Sequence, residues 1–193
     1  FINDANVMDV EAPLMAIDKA HDQGDFILWN HPGWPDDKST LYPVHEELLK
    51  GNKIHGVEVL NHKEYYPVAF DWCNQYGIAP FANTDIHDLV NGCYGLEPGK
   101  MRPMTLVFAI ERSEKGIKEA LFARRTAALF DNKLVGKSEY LMKLIQSSLK
   151  IRRINAGTIE VTNISDIPYE MTNGGKLYLF PCRKTVRIGI PKE

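Results

Sequence analysis

Three short segments of this chain carry groups that bind metals or phosphate: Asn30-His31-Pro32-Gly33, Glu58 with Asn61, and Asp85-Ile86-His87. Imidazole nitrogen and carboxylate oxygen suit zinc, manganese or iron, and such a cation lowers the pKa of a coordinated water until it becomes a nucleophile. The chemistry indicated is hydrolysis. Asp85 and His87 are two apart, which on an extended backbone puts both side chains on one face. Pro32 disfavours helical geometry at His31, and Gly33 would let a metal or substrate approach the backbone. The plainer reading of His31 is a loop histidine bonded to Asn30 or to a carbonyl. Glu58 interrupts the apolar run Gly56-Val57-Glu58-Val59-Leu60, where a carboxylate needs a cation or hydrogen-bond donors to offset its desolvation. It could bind a metal, orient a ligand from behind, or pair with a basic side chain.

Other residues carry weaker signals. Asn30, Trp34 and Asn61 are candidates for a substrate pocket, with Tyr65 and Tyr66 as further aromatic walls. His21, His45, His55 and His62 lie in helical segments or flank a strand, where a surface histidine is the commoner outcome, and are set aside. Arg124 and Arg125 are explained by a helix C-terminus as readily as by a phosphate. Gly92, Gly95 and Gly99 have neither the G-x-G-x-x-G nor the Walker spacing. Cys73 falls inside a helix, and no nucleophilic triad is evident.

The elements that must position these groups repeat. Apolar residues at helical spacing over residues 9–23 precede the run Phe26-Ile27-Leu28-Trp29, which leads to His31. Residues 42–50 are again helical and lead to a strand over 54–60 holding Glu58. A helix over 63–76, closed by Gly77, leads to a strand over 78–83 and then to Asp85 and His87. After a Gly/Pro-rich loop over 91–103 come a strand over 105–110, a helix over 113–124 with Ser113 as N-cap, and a strand over 127–130. Five strands alternating with helices predict an α/β fold with a parallel sheet and right-handed crossovers, doubly wound or rolled into a barrel. Five are too few to close a barrel. A helix over 137–150 is followed by alternating strands over 159–162, 176–180 and 185–190, with Asn173-Gly174-Gly175 as a turn. These describe a small antiparallel module whose boundary falls near 152–157.

Composition narrows the function classes. The 193 residues are 44% hydrophobic and 25% charged, ordinary for a globular protein, and a net charge of −2 gives no reason to invoke nucleic acid. Cys73, Cys93 and Cys182 form no C-x-x-C pair, so neither a disulfide framework nor a zinc knuckle is indicated. No apolar run approaches the ~18 residues of a membrane span. The chain opens on Phe1-Ile2-Asn3-Asp4 without an initiator methionine, and residues preceding Phe1 are expected. Localisation is therefore left open.

The order and spacing of Asn30-His31-Pro32-Gly33-Trp34, Gly56-Val57-Glu58-Val59 and Asn83-Thr84-Asp85-Ile86-His87-Asp88 resemble the later metal motifs of the PHP (polymerase and histidinol phosphatase) family, over about residues 1–136. That resemblance implies a distorted (β/α)7 TIM-like barrel, N-terminally incomplete in this chain, with up to three divalent metals (Mn, Zn or Fe) hydrolysing phosphoesters. By the same resemblance His31, Asp85 and His87 are metal ligands, and Glu58 matches a carboxylate beside the site. The family's opening H-x-H motif, the glutamate after it and a further upstream histidine have no counterpart here. Residues 137–155 would then be a connecting helix, and residues 156–193 resemble the β-sandwich-like module appended to some bacterial PHP-like proteins. The implied function is a metal-dependent phosphoesterase acting on a small phosphorylated substrate. The alternatives are a metal-dependent hydrolase of a non-phosphate bond and a non-catalytic PHP-like scaffold.

Overall fold

Proline opens each of the first three α-helices at a position where its missing N–H removes no hydrogen bond. In the computed structural model, which describes residues 1–95, 101–131 and 133–189, these are α1 (Pro13–Asp22), α2 (Pro43–Lys50) and α3 (Pro67–Tyr76). Strand β1 (Leu28–Trp29) follows α1 and β2 (Gly56–Asn61) follows α2. β3 (Glu64–Tyr65) folds back on β2, and β4 (Ala79–Asn83) follows α3. Gly77 closes α3 in the left-handed conformation, φ +64°, with its N–H bonded to the Cys73 carbonyl. β1 and β4 both pair with β2 in parallel, as the repeated helix-strand pattern predicts. Every residue of β2 is buried, the signature of a strand covered on both faces. Val57, Val59 and Leu60 pack with Ala69, Trp72 and Cys73 of α3, and Trp72 stacks on Trp29 with ring centroids 5.0 Å apart.

Beyond β4 the chain departs from the predicted parallel barrel. The residues that follow form α4 (Val90–Tyr94), β5 (Met104–Val107), α5 (Glu114–Phe122), β6 (Thr126–Phe130) and β7 (Lys133–Gly136). β5, β6 and β7 pair antiparallel, with Val107 opposite Thr126. The Phe108 N–H donates to the Arg125 carbonyl (2.9 Å), so α5 begins and ends at the same end of its sheet. A crossover would have had to carry the chain back to the other end. Helix-strand alternation alone does not separate these two routes. The sheets meet through side chains: Thr126 Oγ1 donates to the Pro80 carbonyl (2.8 Å), and Thr105 Oγ1 accepts from Ala82 N–H and donates to the Ala82 carbonyl, each at 3.0 Å. Among the described residues they do not close into a barrel.

The chain divides into two compact units, the first made of residues 1–94 and 101–140 and the second, among the described residues, of Gly95 and residues 141–189. The helix predicted over 137–150 covers Ser138–Ser148 (α6). Residues 149–155, expected as the end of a connecting helix, are instead strand β8 (Leu149–Asn155), paired with β9 (Thr158–Asn163). β10 (Tyr169–Asn173), β11 (Lys176–Phe180) and β12 (Thr185–Gly189) complete the second unit, as sheets β12-β9-β8 and β10-β11. Five strands thus replace the three expected. β8 and β10 escape a hydropathy reading because most of their residues are exposed and polar. The turn at Gly174-Gly175 has φ of +56° and +77°, both positive as a two-residue hairpin loop favours. Ile190 and Gly99 lie outside the described residues.

Candidate active site

Glu58 organises the ends of three strands. It sits in mid-β2, 2% exposed, and its carboxylate has no basic partner among the described residues. Three N–H donors surround it instead. Oε2 accepts from the His31 backbone N–H and from Asn61 Nδ2 (2.8 Å), and Oε1 accepts from Asn83 Nδ2 (2.7 Å). These donors come from the segment after β1, the end of β2 and the end of β4. Of the three readings left open, an ion pair is not seen among the described residues, and the three bonds tie Glu58 to neighbouring segments. Asn61, expected in a substrate pocket, is buried, donates through Nδ2 to Glu58, and contributes to the lining of the cleft above it.

Above this hub lies a cleft of about 490 Å³ lined by His31, Asp85 and His87 together with Trp34, Asn61, His62, Glu64 and Tyr66. All three sequence-predicted ligands therefore face one space. Asp85 Oδ1 and His87 Nε2 approach to 3.5 Å, with His87 almost fully exposed. The backbone is not extended there, since Asp85 has φ +46°, and His31 has φ +31°. Non-glycine residues in this region are uncommon and concentrate where function requires a particular aim. The His31 ring meets Trp34 edge-on, centroids 5.8 Å apart.

Gly33 does not receive a metal or substrate at its backbone. The Tyr66 ring fills that place, and a Cβ on Gly33 would lie 2.9 Å from Tyr66 Cδ1. Tyr66 Oη donates to Glu64 Oε2 (2.7 Å), and burial, then this bond, push the phenol pKa well above its ordinary value. Asn30 lines a different cleft of about 630 Å³, along residues 27–31 beside β1, which meets the first at His31 and Trp34. Among the described residues β1 pairs only with β2, so its other edge borders this second cleft.

His62, set aside on sequence grounds, enters the first cleft. The signal that could have found it is its place directly after Glu58 and Asn61, at a turn on the same end of the sheet. His45 and His55 pack against Trp29 and Phe26, and Arg125 bonds Glu119 and the Phe108 carbonyl, so these stay structural. Cys73 is buried, which pushes its thiol pKa up, away from nucleophile chemistry.

The donor chemistry of the cleft fits a divalent transition cation, with the imidazoles of His31, His62 and His87 and the carboxylates of Glu64 and Asp85 along its lining. The geometry is incomplete. Among the described residues no group of three or more His, Cys, Asp or Glu side chains is drawn together closely enough to hold an ion.

No family model matches the chain, and no curated protein matches it. A solved structure does. It is described as a two-domain protein containing a predicted PHP-like metal-dependent phosphoesterase, from Bacteroides vulgatus ATCC 8482. The two share 33% identity with a TM-score of 0.87 over 98% of this chain. The chain is similar to a PHP-like protein throughout. It spans 60% of the length of that relative. The likeness to that two-domain protein covers both the unit that holds His31, Glu58, Asp85 and His87 and the β-rich unit after it.

Proposed function

We propose that the full-length protein is a metal-dependent hydrolase of phosphoesters, in which His31, Asp85 and His87 supply ligands and Glu58 holds their strand ends in place. The observation that carries this reading is the convergence of those three side chains on one cleft. The likeness to a protein described as a predicted metal-dependent phosphoesterase supports the reaction class. A bound divalent cation would supply an activated water and neutralise charge on the phosphoryl oxygens. The chain's own part is to aim ligands: the His31 N–H is tied to Glu58, and the left-handed backbone at His31 and Asp85 directs both residues to the cleft. On the same reading the parallel strands β1, β2 and β4 and the helices between them belong to a distorted barrel-type sheet.

Manganese or zinc added to the full-length protein should give turnover of phosphomonoesters or cyclic phosphodiesters, and His31→Ala should abolish it. Turnover that survives in His31→Ala would remove His31 from the reaction. A non-catalytic scaffold is the second reading, favoured by the lack of a closed three-ligand group among the described residues. Elemental analysis separates the two: near-stoichiometric transition metal after metal-replete expression supports the hydrolase, and none supports the scaffold.

A further inference from the structure

His62 occupies the first central position of the two-residue turn between β2 and β3, with φ +51°. Glycine and asparagine are common at such a position, and histidine is among the residues that adopt positive φ most readily. Its backbone N–H donates to the Asn83 carbonyl (3.0 Å), which pins the turn to the end of β4. Its Nδ1 lies 3.0 Å from the Tyr94 hydroxyl, and that hydroxyl donates to the Thr84 carbonyl at 2.8 Å.

Proton bookkeeping fixes the imidazole. A phenol has one proton, and a carbonyl only accepts, so the Tyr94 proton belongs to Thr84. The His62–Tyr94 bond then requires the proton on Nδ1, with the phenolic oxygen accepting it. Nε2 is left as the one ring atom able to gain or lose a proton, and among the described residues it has no hydrogen-bond partner. The imidazole lines the cleft that holds His31, Asp85 and His87.

We propose that His62 is a catalytic residue of this cleft, the general acid that protonates the leaving oxygen; the assignment rests on the phosphoester reading above. As the bond between phosphorus and the leaving oxygen breaks, its electron pair passes to that oxygen, which takes the proton from His62 Nε2. Water forms the new bond to phosphorus and releases one proton to solvent, and one proton from solvent restores the imidazolium. Tyr94 is a positioning residue that keeps Nδ1 protonated so that Nε2 does the exchanging.

A general acid matters most when the leaving group is poor. In the full-length protein with manganese, His62→Asn, which tolerates positive φ, should lower kcat on an alkyl phosphate by about 100-fold. It should leave 4-nitrophenyl phosphate hydrolysis within a few-fold, with metal content unchanged. Equal losses on both esters, or none on either, would overturn the role while leaving the phosphoester reading standing. A parent protein that hydrolyses neither ester would remove both. Long-range 1H–15N spectra give a readout that needs no activity: the parent should show His62 protonated at Nδ1, and Tyr94→Phe should move the proton towards Nε2. A parent already protonated at Nε2 alone would overturn the proposal.

Discussion

The burial of Glu58 is tolerable because every donor near it is used. His31 N–H, Asn61 Nδ2 and Asn83 Nδ2 converge on two carboxylate oxygens, and each becomes an orphan if the carboxylate is removed. An unsatisfied buried donor costs about 1–3 kcal/mol, so Glu58→Ala should destabilise the first unit by several such increments, about 3 kcal/mol or more. Glu58→Gln is nearly isosteric but should rescue little, because its amide N–H₂ would face a donor where an acceptor is required. Urea unfolding checks both. A Gln variant as stable as the parent would show that fewer than three donors depend on the charge. Glu58 also shows the reach of residue-level reading: its need for partners is legible from an apolar run, while the identity of those partners depends on strand ends 27 and 25 residues away in sequence.

At the scale of elements, signals written within a few residues are legible. Ser113 caps α5 as its position before Glu114 suggests, its Oγ accepting from the Gly116 N–H at 3.0 Å. Ser113→Ala should lower the stability of the first unit by about 1 kcal/mol, and Ser113→Asp should retain most of it. Thermal unfolding of the two variants side by side tests this, and equal losses would show that the cap bond is not the cause. Strand positions are also accessible, since short apolar runs mark β1, β2, β4, β5 and β6. Strand direction is not. Whether α5 crosses its sheet or returns the chain beside β5 depends on the bond between Phe108 and Arg125 across the loop, which hydropathy does not encode. β8 and β10 escape because pairing within the β unit, rather than burial of alternate side chains, holds them.

At the scale of the whole molecule, the two units should respond differently to acid. All six histidines lie before residue 141, in the first unit. Burial lowers the pKa of His55, with His21 and Arg124 adding to the effect, and burial likewise lowers His45. His55 Nδ1 accepts from the Ile27 N–H at 3.0 Å, a bond that protonation at Nδ1 destroys. A histidine whose folded pKa is depressed stabilises fully above its unfolded value of about 6.5, and that stability is lost as pH falls through the folded pKa. The first unit should therefore lose urea resistance as pH falls from about 7.5 to about 5, and His55→Asn, which offers an acceptor that does not titrate, should flatten part of that loss. The second unit should show no histidine-linked change over the same range. A slope unaltered in His55→Asn would place the titration elsewhere.

The sequence by itself determined the local quantities: where apolar runs make strands, where proline and glycine open and close helices, and which three segments carry ligand-type side chains. It also carried the PHP-like resemblance, because that rests on the order of short motifs. Tertiary structure alone decided what depends on distant partners. The convergence of His31, Asp85 and His87 on one cleft, the enclosure of Glu58 by three amide donors, the antiparallel course of β5 to β7 and the entry of His62 beside the site all arise when segments far apart in the chain are brought within hydrogen-bond range. Hydropathy periods report which face is buried, and they are blind to which neighbour buries it.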